Sequence, residues 1–203
     1  MGNPFILTCR AGTGGKIDSK MDKSPEQPNT SPTPMPAIHE EHQQQGPQSI
    51  RCAVITVSDT RTLETDTGGQ TVIHHLTAAG HQIVAREIIP DEPARMQPLL
   101  LSLQARDDID AILMTGGTGI SSRDMTYETV SALLTKPLPG YGELFRMLSY
   151  QEIGPAAILS RSLGGLLGRK VLVTMPGSPA AVKLAMEKII VPQLPHLMRE
   201  ARR

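Results

Sequence analysis

Short apolar runs that favour β-strands alternate with helical segments over most of the chain. The strand-like runs lie at 50–57, 82–89, 111–114 and 170–174, and segments with helical spacing of apolar residues separate them. Parallel strands need long crossover connections, which helices usually supply. The alternation therefore predicts an α/β fold of three layers, in which helices cover both faces of a mainly parallel sheet.

Helix boundaries follow from the polar residues and glycines between the runs. A helix is predicted over 67–79, where Gly80 ends it, and Asp91 and Thr126 are candidate N-caps of the next two helices. Pro137, Pro139 and Gly140 indicate a less regular region before a predicted helix over 143–150. Helical spacing continues over 182–191 and through 194–197.

Residues 1–49 differ from the rest of the chain in composition. They are rich in Pro, Ser, Thr and Gln, and such a segment buries too little apolar area to offset the loss of conformational entropy. We interpret residues 1–49 as a disordered or loosely attached N-terminal arm. The folded domain is predicted over residues 50–203, and the role of the arm stays open.

Charge and cysteine content exclude several classes of protein. Lys plus Arg and Asp plus Glu are 20 each, so the formal net charge is zero and no basic excess favours a nucleic-acid or membrane-surface binder. The 2 cysteines do not suggest a disulfide framework. No apolar run has the length of a membrane span, and the first residues lack a signal-peptide pattern. These features predict a cytoplasmic protein.

Polar and glycine-rich segments follow four of the predicted strands. In open α/β sheets, ligands bind beyond the carboxyl ends of the strands, so these segments are expected to share one edge. The candidate site residues there are Ser58, Asp59, Asp91, Thr115, Gly116, Gly117, Thr118, Gly119, Arg123, Asp124, Pro176, Gly177 and Ser178.

The residue types at this edge suit a phosphate-bearing ligand and a metal ion. Glycines 116, 117 and 119 let backbone N–H groups approach an anion, and Asp91 and Asp124 could hold Mg²⁺, which prefers oxygen ligands. Arginine suits phosphate, so Arg123 and Arg161 are candidates to neutralise its charge. The alternatives are a tight turn without a ligand, a capping role for Asp91, and an Arg123–Asp124 ion pair.

The same segments carry a resemblance to the MogA/MoaB family of molybdenum-cofactor biosynthesis proteins. It runs from about residue 50 to residue 197, and the order and spacing of several motifs agree together. The stretch 139–150 is closer to the MoaB branch. Tyr127 stands where the family usually has Pro. The motifs that carry the resemblance are 54–59, 89–92, 115–120 with Arg123-Asp124, 159–161 and 175–179.

The resemblance implies a molybdopterin-binding-like fold shared with the G domain of gephyrin-like proteins, in a homotrimer or hexamer. It implies Mg²⁺-dependent transfer of an adenylyl group from ATP to molybdopterin, which gives adenylylated molybdopterin and pyrophosphate, and later hand-over to a molybdenum-insertion protein. Asp91 and Asp124 would be tied to metal and catalysis. The 115–119 turn, Ser160-Arg161 and 176–179 would line the ligand site.

Three functions remain open at this point. The first is the adenylyltransferase, which is favoured because Arg123, Asp124 and the 176–179 motif are present. The second is a non-catalytic molybdopterin-binding or scaffold module of the same fold, and the third is an unrelated nucleotide-binding α/β protein such as a dehydrogenase. The absence of an assignable covalent nucleophile favours chemistry in which the substrate itself attacks. The choice between molybdenum and tungsten, and between trimer and hexamer, stays open.

Overall fold

A six-stranded sheet with the strand order β2-β1-β3-β6-β5-β4 organises the computed structural model, which describes residues 47–203. The predicted arm therefore lies almost wholly outside the described residues. The strands are β1 (Arg51–Val57), β2 (Gln82–Ile89), β3 (Ala111–Thr115), β4 (Lys136–Pro137), β5 (Gly164–Leu167) and β6 (Lys170–Met175). Strands β2, β1, β3 and β6 are parallel neighbours, so their carboxyl ends share one edge.

Helices lie between the strands as the alternation predicts. They are α1 (Thr67–Ala78), α2 (Pro93–Ala105), α3 (Thr126–Leu133), α4 (Pro139–Ile153), α5 (Pro179–Ala185) and α6 (Val191–Arg202), with a 3₁₀ helix at Gly154–Leu159. Within residues 47–203, no helix combines the length and the apolarity that a bilayer crossing requires.

Two hydrophobic cores lie on opposite faces of the sheet. Side chains of α1, α4, α5 and α6 pack on one face with β1 residues Cys52 and Val54, whereas α2 and α3 pack on the other face with Ala53 and Ile55. This alternation follows from the period of two along a strand. The three-layer, mainly parallel α/β fold predicted from the sequence is confirmed.

The sheet is extended by an antiparallel segment that the apolar pattern does not reveal. Strand β5 pairs antiparallel with β6 and with the two-residue β4. Helix α4 also begins earlier than predicted, at Pro139 instead of residue 143. Proline is tolerated in the first turn of a helix, where its missing N–H would have no intrahelical partner, so the proline and glycine here accompany a helix start.

The C-terminal helical region consists of three helical segments that follow one another without a break. Helix α5 continues into a π-helical turn at Met186–Ile190 and then into α6, which contains Pro195. A π turn changes the direction in which later side chains point, and this keeps Leu194 and Met198 buried in the core.

Both candidate N-caps are wrong. The N-cap of α2 is Glu92, without a side-chain cap bond, and the N-cap of α3 is Met125. The Thr126 hydroxyl instead donates to Oδ1 of Asp91, 3.4 Å away. The two side chains are hydrogen-bonded to each other, and Asp91 does not cap α2, the helix that follows it in the sequence.

Candidate functional site

The exits of β1, β3 and β6 meet at Gly116. A β-carbon at Gly116 would lie 2.1 Å from the carbonyl oxygen of Val57, and one at Gly177 would lie 3.5 Å from the Gly116 Cα atom. The Gly116 N–H donates to the Met175 carbonyl over 3.0 Å, and Thr115 Oγ1 donates to the Pro176 carbonyl over 3.0 Å. Gly116 has φ +102°, a conformation that L side chains rarely adopt.

Asp91 and Asp124 flank the same glycine turn. A β-carbon at Gly117 would lie 2.3 Å from Oδ2 of Asp91, and one at Gly119 would lie 2.7 Å from Oδ2 of Asp124. Both carboxylates therefore lie close to the backbone of this turn, Asp91 at Gly117 and Asp124 at Gly119. The two acids come from the exits of β2 and β3, as the strand pattern predicts.

Asp91 is a nearly buried carboxylate in an electronegative setting. It is only 8% exposed, and burial raises its pKa, with further increases from the charges of Asp124 and Asp59. Hydrogen bonds from Met125 and Thr126 act in the opposite direction. An additional positive charge beside Asp91 would therefore be stabilising.

Asp59 connects two of the exits. Its Oδ1 accepts the Asp91 backbone N–H over 3.3 Å, and its Oδ2 accepts Nη2 of Arg123 over 2.6 Å. The Arg123 hydrogen bond lowers the pKa of Asp59. The alternative that Arg123 pairs with Asp124 is wrong, because Asp124 Oδ2 instead accepts the Ser121 N–H over 2.8 Å.

A cleft of about 390 Å³ opens beside the glycine turn. One wall is polar and backbone-rich, whereas the facing wall is mostly apolar and comes from α4 and the 3₁₀ helix. The polar wall consists of Gly116, Gly117, Thr118, Gly119, Asp124, Ser160, Pro176, Gly177 and Ser178, and the other wall includes Phe145, Ser149, Ile153, Ala157 and Leu159. The cleft thus brings together nine of the predicted site residues.

The three predicted serines have different positions. Ser178 is the N-cap of α5, and its oxygen accepts the Ala181 N–H over 3.3 Å at the rim of the cleft. Ser160 also lines the cleft and hydrogen-bonds to Ser162 over 3.1 Å. Ser58 lies outside it, in a smaller cavity of about 80 Å³ on the other side of Gly116.

Neither predicted arginine lines the cleft. Arg123 is engaged by Asp59, and the Arg161 side chain contacts the loop that carries Asp124, with its Nε donating to the Gly119 carbonyl over 2.7 Å. Both side chains therefore point to protein acceptors. Neither lies at the cleft beside the glycine turn, where the sequence pattern predicts phosphate binding.

The donor set at Asp91 and Asp124 fits a hard divalent cation held by few protein ligands. Among residues 47–203, no group of three or more His, Cys, Asp or Glu side chains could hold a metal ion by itself. Mg²⁺ usually keeps several waters and is bound by one or two carboxylates together with substrate phosphates. Two carboxylates close to the backbone of one glycine turn match that pattern.

Some functional candidates escape the sequence pattern. Asp66 is the N-cap of α1; its side chain is 2% exposed, and it accepts hydrogen bonds from Thr56, Gly69 and Arg86. Its place directly before Thr67-Gly68-Gly69 is the signal that could have identified it. Ser149 and Phe145 reach the cleft from α4, and no motif rule marks them.

Known families and proteins resemble this chain over nearly all of the described domain. The model of a family described as "Probable molybdopterin binding domain" matches residues 53–196. Molybdenum cofactor biosynthesis protein B of Bacillus cereus is 49% identical over 164 residues, which are 80% of this chain and 97% of that protein. The protein of the same name from Bacillus subtilis is 50% identical over 165 residues, 81% of this chain and 97% of that protein.

Solved structures agree with this similarity. A crystal structure of a molybdenum cofactor biosynthesis protein B is 50% identical with a TM-score of 0.76, covering 78% of this chain and 99% of the other. The tungsten cofactor synthesizing protein MoaB from Pyrococcus furiosus is 34% identical with a TM-score of 0.68, covering 77% of this chain and 99% of the other.

Proposed function

This chain belongs to the family of probable molybdopterin-binding domains, and from that membership we propose that it acts in molybdenum cofactor biosynthesis. The reaction is the Mg²⁺-dependent transfer of an adenylyl group from ATP to molybdopterin, with pyrophosphate as the second product. The observation that carries the proposal is the glycine turn whose backbone lies close to the carboxylates of Asp91 and Asp124, beside a cleft that Asp124 lines.

The terminal phosphate of molybdopterin is the nucleophile in this proposal. Its oxygen forms a bond to the α-phosphorus of ATP, and the bond between that phosphorus and the oxygen of the β-phosphate breaks to release pyrophosphate. Two unit charges of equal sign about 4 Å apart repel by about 4 kcal/mol at an effective dielectric constant of 20. Positioning and charge neutralisation therefore supply most of the catalysis.

Different residues of the chain would supply the positioning and the charge neutralisation. The Gly116 N–H already donates to the Met175 carbonyl, but the backbone N–H groups of residues 117–119 would be available to anions. Ser160 and Ser178 offer hydroxyl groups among the residues that line the cleft. Asp91 and Asp124 would hold Mg²⁺. When bound, Mg²⁺ supplies neutralisation of phosphate charge.

The opposite wall suits the ring system of the substrate. Phe145, Ile153, Ala157 and Leu159 present apolar surface, and Ser149 adds a single hydroxyl group. Ligand clefts typically combine such an apolar lining with a few placed polar groups that fix orientation. The phosphate of the substrate would face the glycine turn and its rings would face α4.

The direct test is incubation of the protein with molybdopterin, ATP and Mg²⁺, followed by detection of adenylylated molybdopterin and pyrophosphate. Formation of both products supports the adenylyltransferase. Binding of molybdopterin by calorimetry without ATP-dependent pyrophosphate release would favour the non-catalytic module. Tight binding of a dinucleotide without binding of molybdopterin would favour an unrelated nucleotide-binding protein.

We also propose that the chain self-associates through an apolar face of α4 and the 3₁₀ helix. Large apolar side chains lie exposed at every third position of α4 from Leu144 to Ile153, and Ile153 and Leu159 also line the cleft. They are Leu144, Met147, Tyr150, Ile153, Ile158 and Leu159, exposed by 49–81%. Contiguous exposed apolar patches of this kind usually mark interfaces.

Sedimentation of Met147→Glu tests self-association. We expect wild-type protein to sediment as an oligomer and Met147→Glu to shift toward the monomer, since a charge would be buried in the contact. Leu101→Glu is the matched control, because Leu101 is similarly exposed (50%) and lies on α2, which covers the opposite face of the sheet. A monomeric wild type would contradict the proposal.

A further inference from the structure

The Arg161 guanidinium connects three parts of the candidate site. Its Nε donates to the Gly119 carbonyl over 2.7 Å, its Nη2 donates to the Asp124 carbonyl over 2.9 Å, and its Nη1 donates to Glu128 Oε1. The Arg161 backbone N–H also donates to the Thr118 carbonyl over 3.2 Å. One side chain therefore ties the glycine turn, the Asp124 loop and the first turn of α3 together.

Tyr127 completes this arrangement. The Arg161 guanidinium lies 5.2 Å from the centroid of the Tyr127 ring, within the range of a cation–π contact. The resemblance to the MogA/MoaB family expects Pro at this position, and Pro offers no aromatic face. The contact therefore depends on the tyrosine that this chain has at position 127.

Its contacts leave Arg161 poorly placed to bind phosphate. All three of its guanidinium nitrogens donate to protein acceptors, its side chain is only 24% exposed, and it does not line the cleft. Glu128 already balances its charge. Three of its five N–H groups are therefore engaged, and one on each of Nη1 and Nη2 remains for a ligand.

We infer that Arg161 and Glu128 are positioning residues for Asp124 and the glycine turn. Arg161 fixes the main chain at Gly119 and Asp124, and Glu128 fixes the orientation of the guanidinium. This inference rests on the proposed function. It replaces the expectation that Arg161 neutralises phosphate.

The planar fork of arginine explains why this residue type is needed. Its donors have fixed relative directions, so it can meet acceptors on different segments at the same time, whereas the ammonium of lysine is a point charge on a flexible stem. Displacement of a catalytic group by about 1 Å can lower turnover on the order of 10²-fold. A loosened Asp124 loop would therefore act on kcat more than on substrate binding.

Glu128→Ala, which removes the acceptor of the Arg161 guanidinium, separates positioning from phosphate binding, because the two roles predict opposite results. If Glu128 positions Arg161, the variant lowers kcat of ATP-dependent adenylyl transfer about tenfold or more, with KM for ATP changed less than about threefold. If Glu128 only occupies Arg161 until phosphate arrives, the variant frees the cation and lowers KM for ATP without loss of kcat. The latter result would overturn the inference.

Arg161→Lys and a matched control complete the kinetic test. Arg161→Lys keeps the positive charge but loses the fork, so we expect its kcat to fall as in Glu128→Ala. Glu87→Ala is the control for loss of one carboxylate, since Glu87 is exposed on β2 and makes no contact with Arg161. Wild-type kcat and KM in Arg161→Lys would contradict a positioning role.

Amide hydrogen exchange gives a readout that does not depend on activity. The Ser121 N–H bonds to the Asp124 side chain and the Asp124 N–H bonds to the Ser121 carbonyl, so exchange at 119–124 reports on this loop. We expect faster exchange there in Glu128→Ala and none of this change in Glu87→Ala. If wild-type protein has no adenylyl transfer, the proposed function fails. If it is active but exchange is unchanged in Glu128→Ala, the inference alone fails.

Discussion

Gly117 lies so close to Asp91 that a β-carbon at position 117 would stand 2.3 Å from Asp91 Oδ2. Gly117 also has φ +63°, a region that costs other residues about 1 kcal/mol or more. We expect Gly117→Ala to lower the free energy of unfolding by about 1–2 kcal/mol and to reduce turnover strongly, because both the turn and the carboxylate must move. Urea denaturation and pyrophosphate release measure the two effects.

Gly140→Ala is the matched control for this substitution. A β-carbon at Gly140 would meet nothing within 4 Å, and the residue lies in the first turn of α4, where alanine favours the helix. Unfolding free energy at or above the wild-type value is expected. An equal loss of turnover in both variants would mean that the Gly117–Asp91 contact is irrelevant to function.

Asp124→Asn tests the charge at the cleft. Asparagine keeps an oxygen that can accept the Ser121 N–H, so the loop is retained while the negative charge is removed. We expect molybdopterin binding to stay measurable by calorimetry and turnover to fall on the order of 10²-fold. Asp107→Asn, at an exposed acid remote from the cleft, serves as control. Turnover of the wild-type rate in Asp124→Asn would remove Asp124 from the mechanism.

Asp66 is expected to matter for stability more than any other N-cap. It is 1% exposed and accepts hydrogen bonds from Thr56, Gly69 and Arg86. Asp66→Asn leaves the half-buried Arg86 without its carboxylate partner and is expected to lower the free energy of unfolding by about 2–3 kcal/mol. Asp108→Asn breaks the exposed ion pair with Arg106 and should leave the free energy of unfolding nearly unchanged. Equal losses of stability in the two variants on chemical denaturation would contradict this prediction.

His81 is predicted to make stability depend on pH. It is 6% exposed, neither ring nitrogen has a hydrogen-bond partner in the described part of the chain, and burial lowers its pKa from 6.5. The folded state therefore favours the neutral ring, whereas the unfolded chain binds a proton below pH 6.5. The contribution of His81 to the free energy of unfolding is therefore fully present above pH 6.5. It is lost as the pH falls below this value, by at most about 1.4 kcal/mol per pH unit.

Comparison of the wild type with His81→Leu isolates the contribution of His81 to the pH dependence of stability. The carboxyl groups titrate in both proteins, so only the difference between their unfolding free energies at pH 7.5 and pH 5.5 reports on residue 81. We expect the wild type to lose more stability than the variant over this interval. Identical losses would show that the ring takes up a proton in the folded state as readily as in the unfolded chain.

The regular part of the fold could be predicted because local pattern and tertiary structure agree there. Strands β1, β2 and β3 are apolar runs next to clear helices, and the exits of four parallel strands brought Asp91, Asp124 and the glycine turn together as predicted. The antiparallel β4–β5 segment could not be found. A two-residue strand containing Pro137 and a Gly164-Gly165 pair carry almost no strand signal. These strands exist because β5 pairs with β6 and β4 pairs with β5.

The directions of the polar side chains were the least predictable part of the site. Arginine suits phosphate, so Arg123 and Arg161 were expected to bind it. In the structure Arg123 pairs with Asp59 and Arg161 pairs with Glu128, which are distant in the sequence but close in space. Asp91 and Thr126 were candidate caps because each precedes or begins a helix, and the structure uses them for each other. These choices depend on contacts between loops, which no local pattern encodes.

The contact of Val57, Gly116 and Gly177 joins segments that are far apart along the chain and follow three strands of the central sheet. A glycine turn made this way exists only while all three strands are paired. A ligand that binds there is therefore linked to the cooperative unfolding of the whole domain, and at a hundredfold excess over its dissociation constant it would add about 2.7 kcal/mol to global stability. Backbone amides deep in β1, β3 and β6 would then exchange more slowly on ligand addition, although none of them touches the ligand.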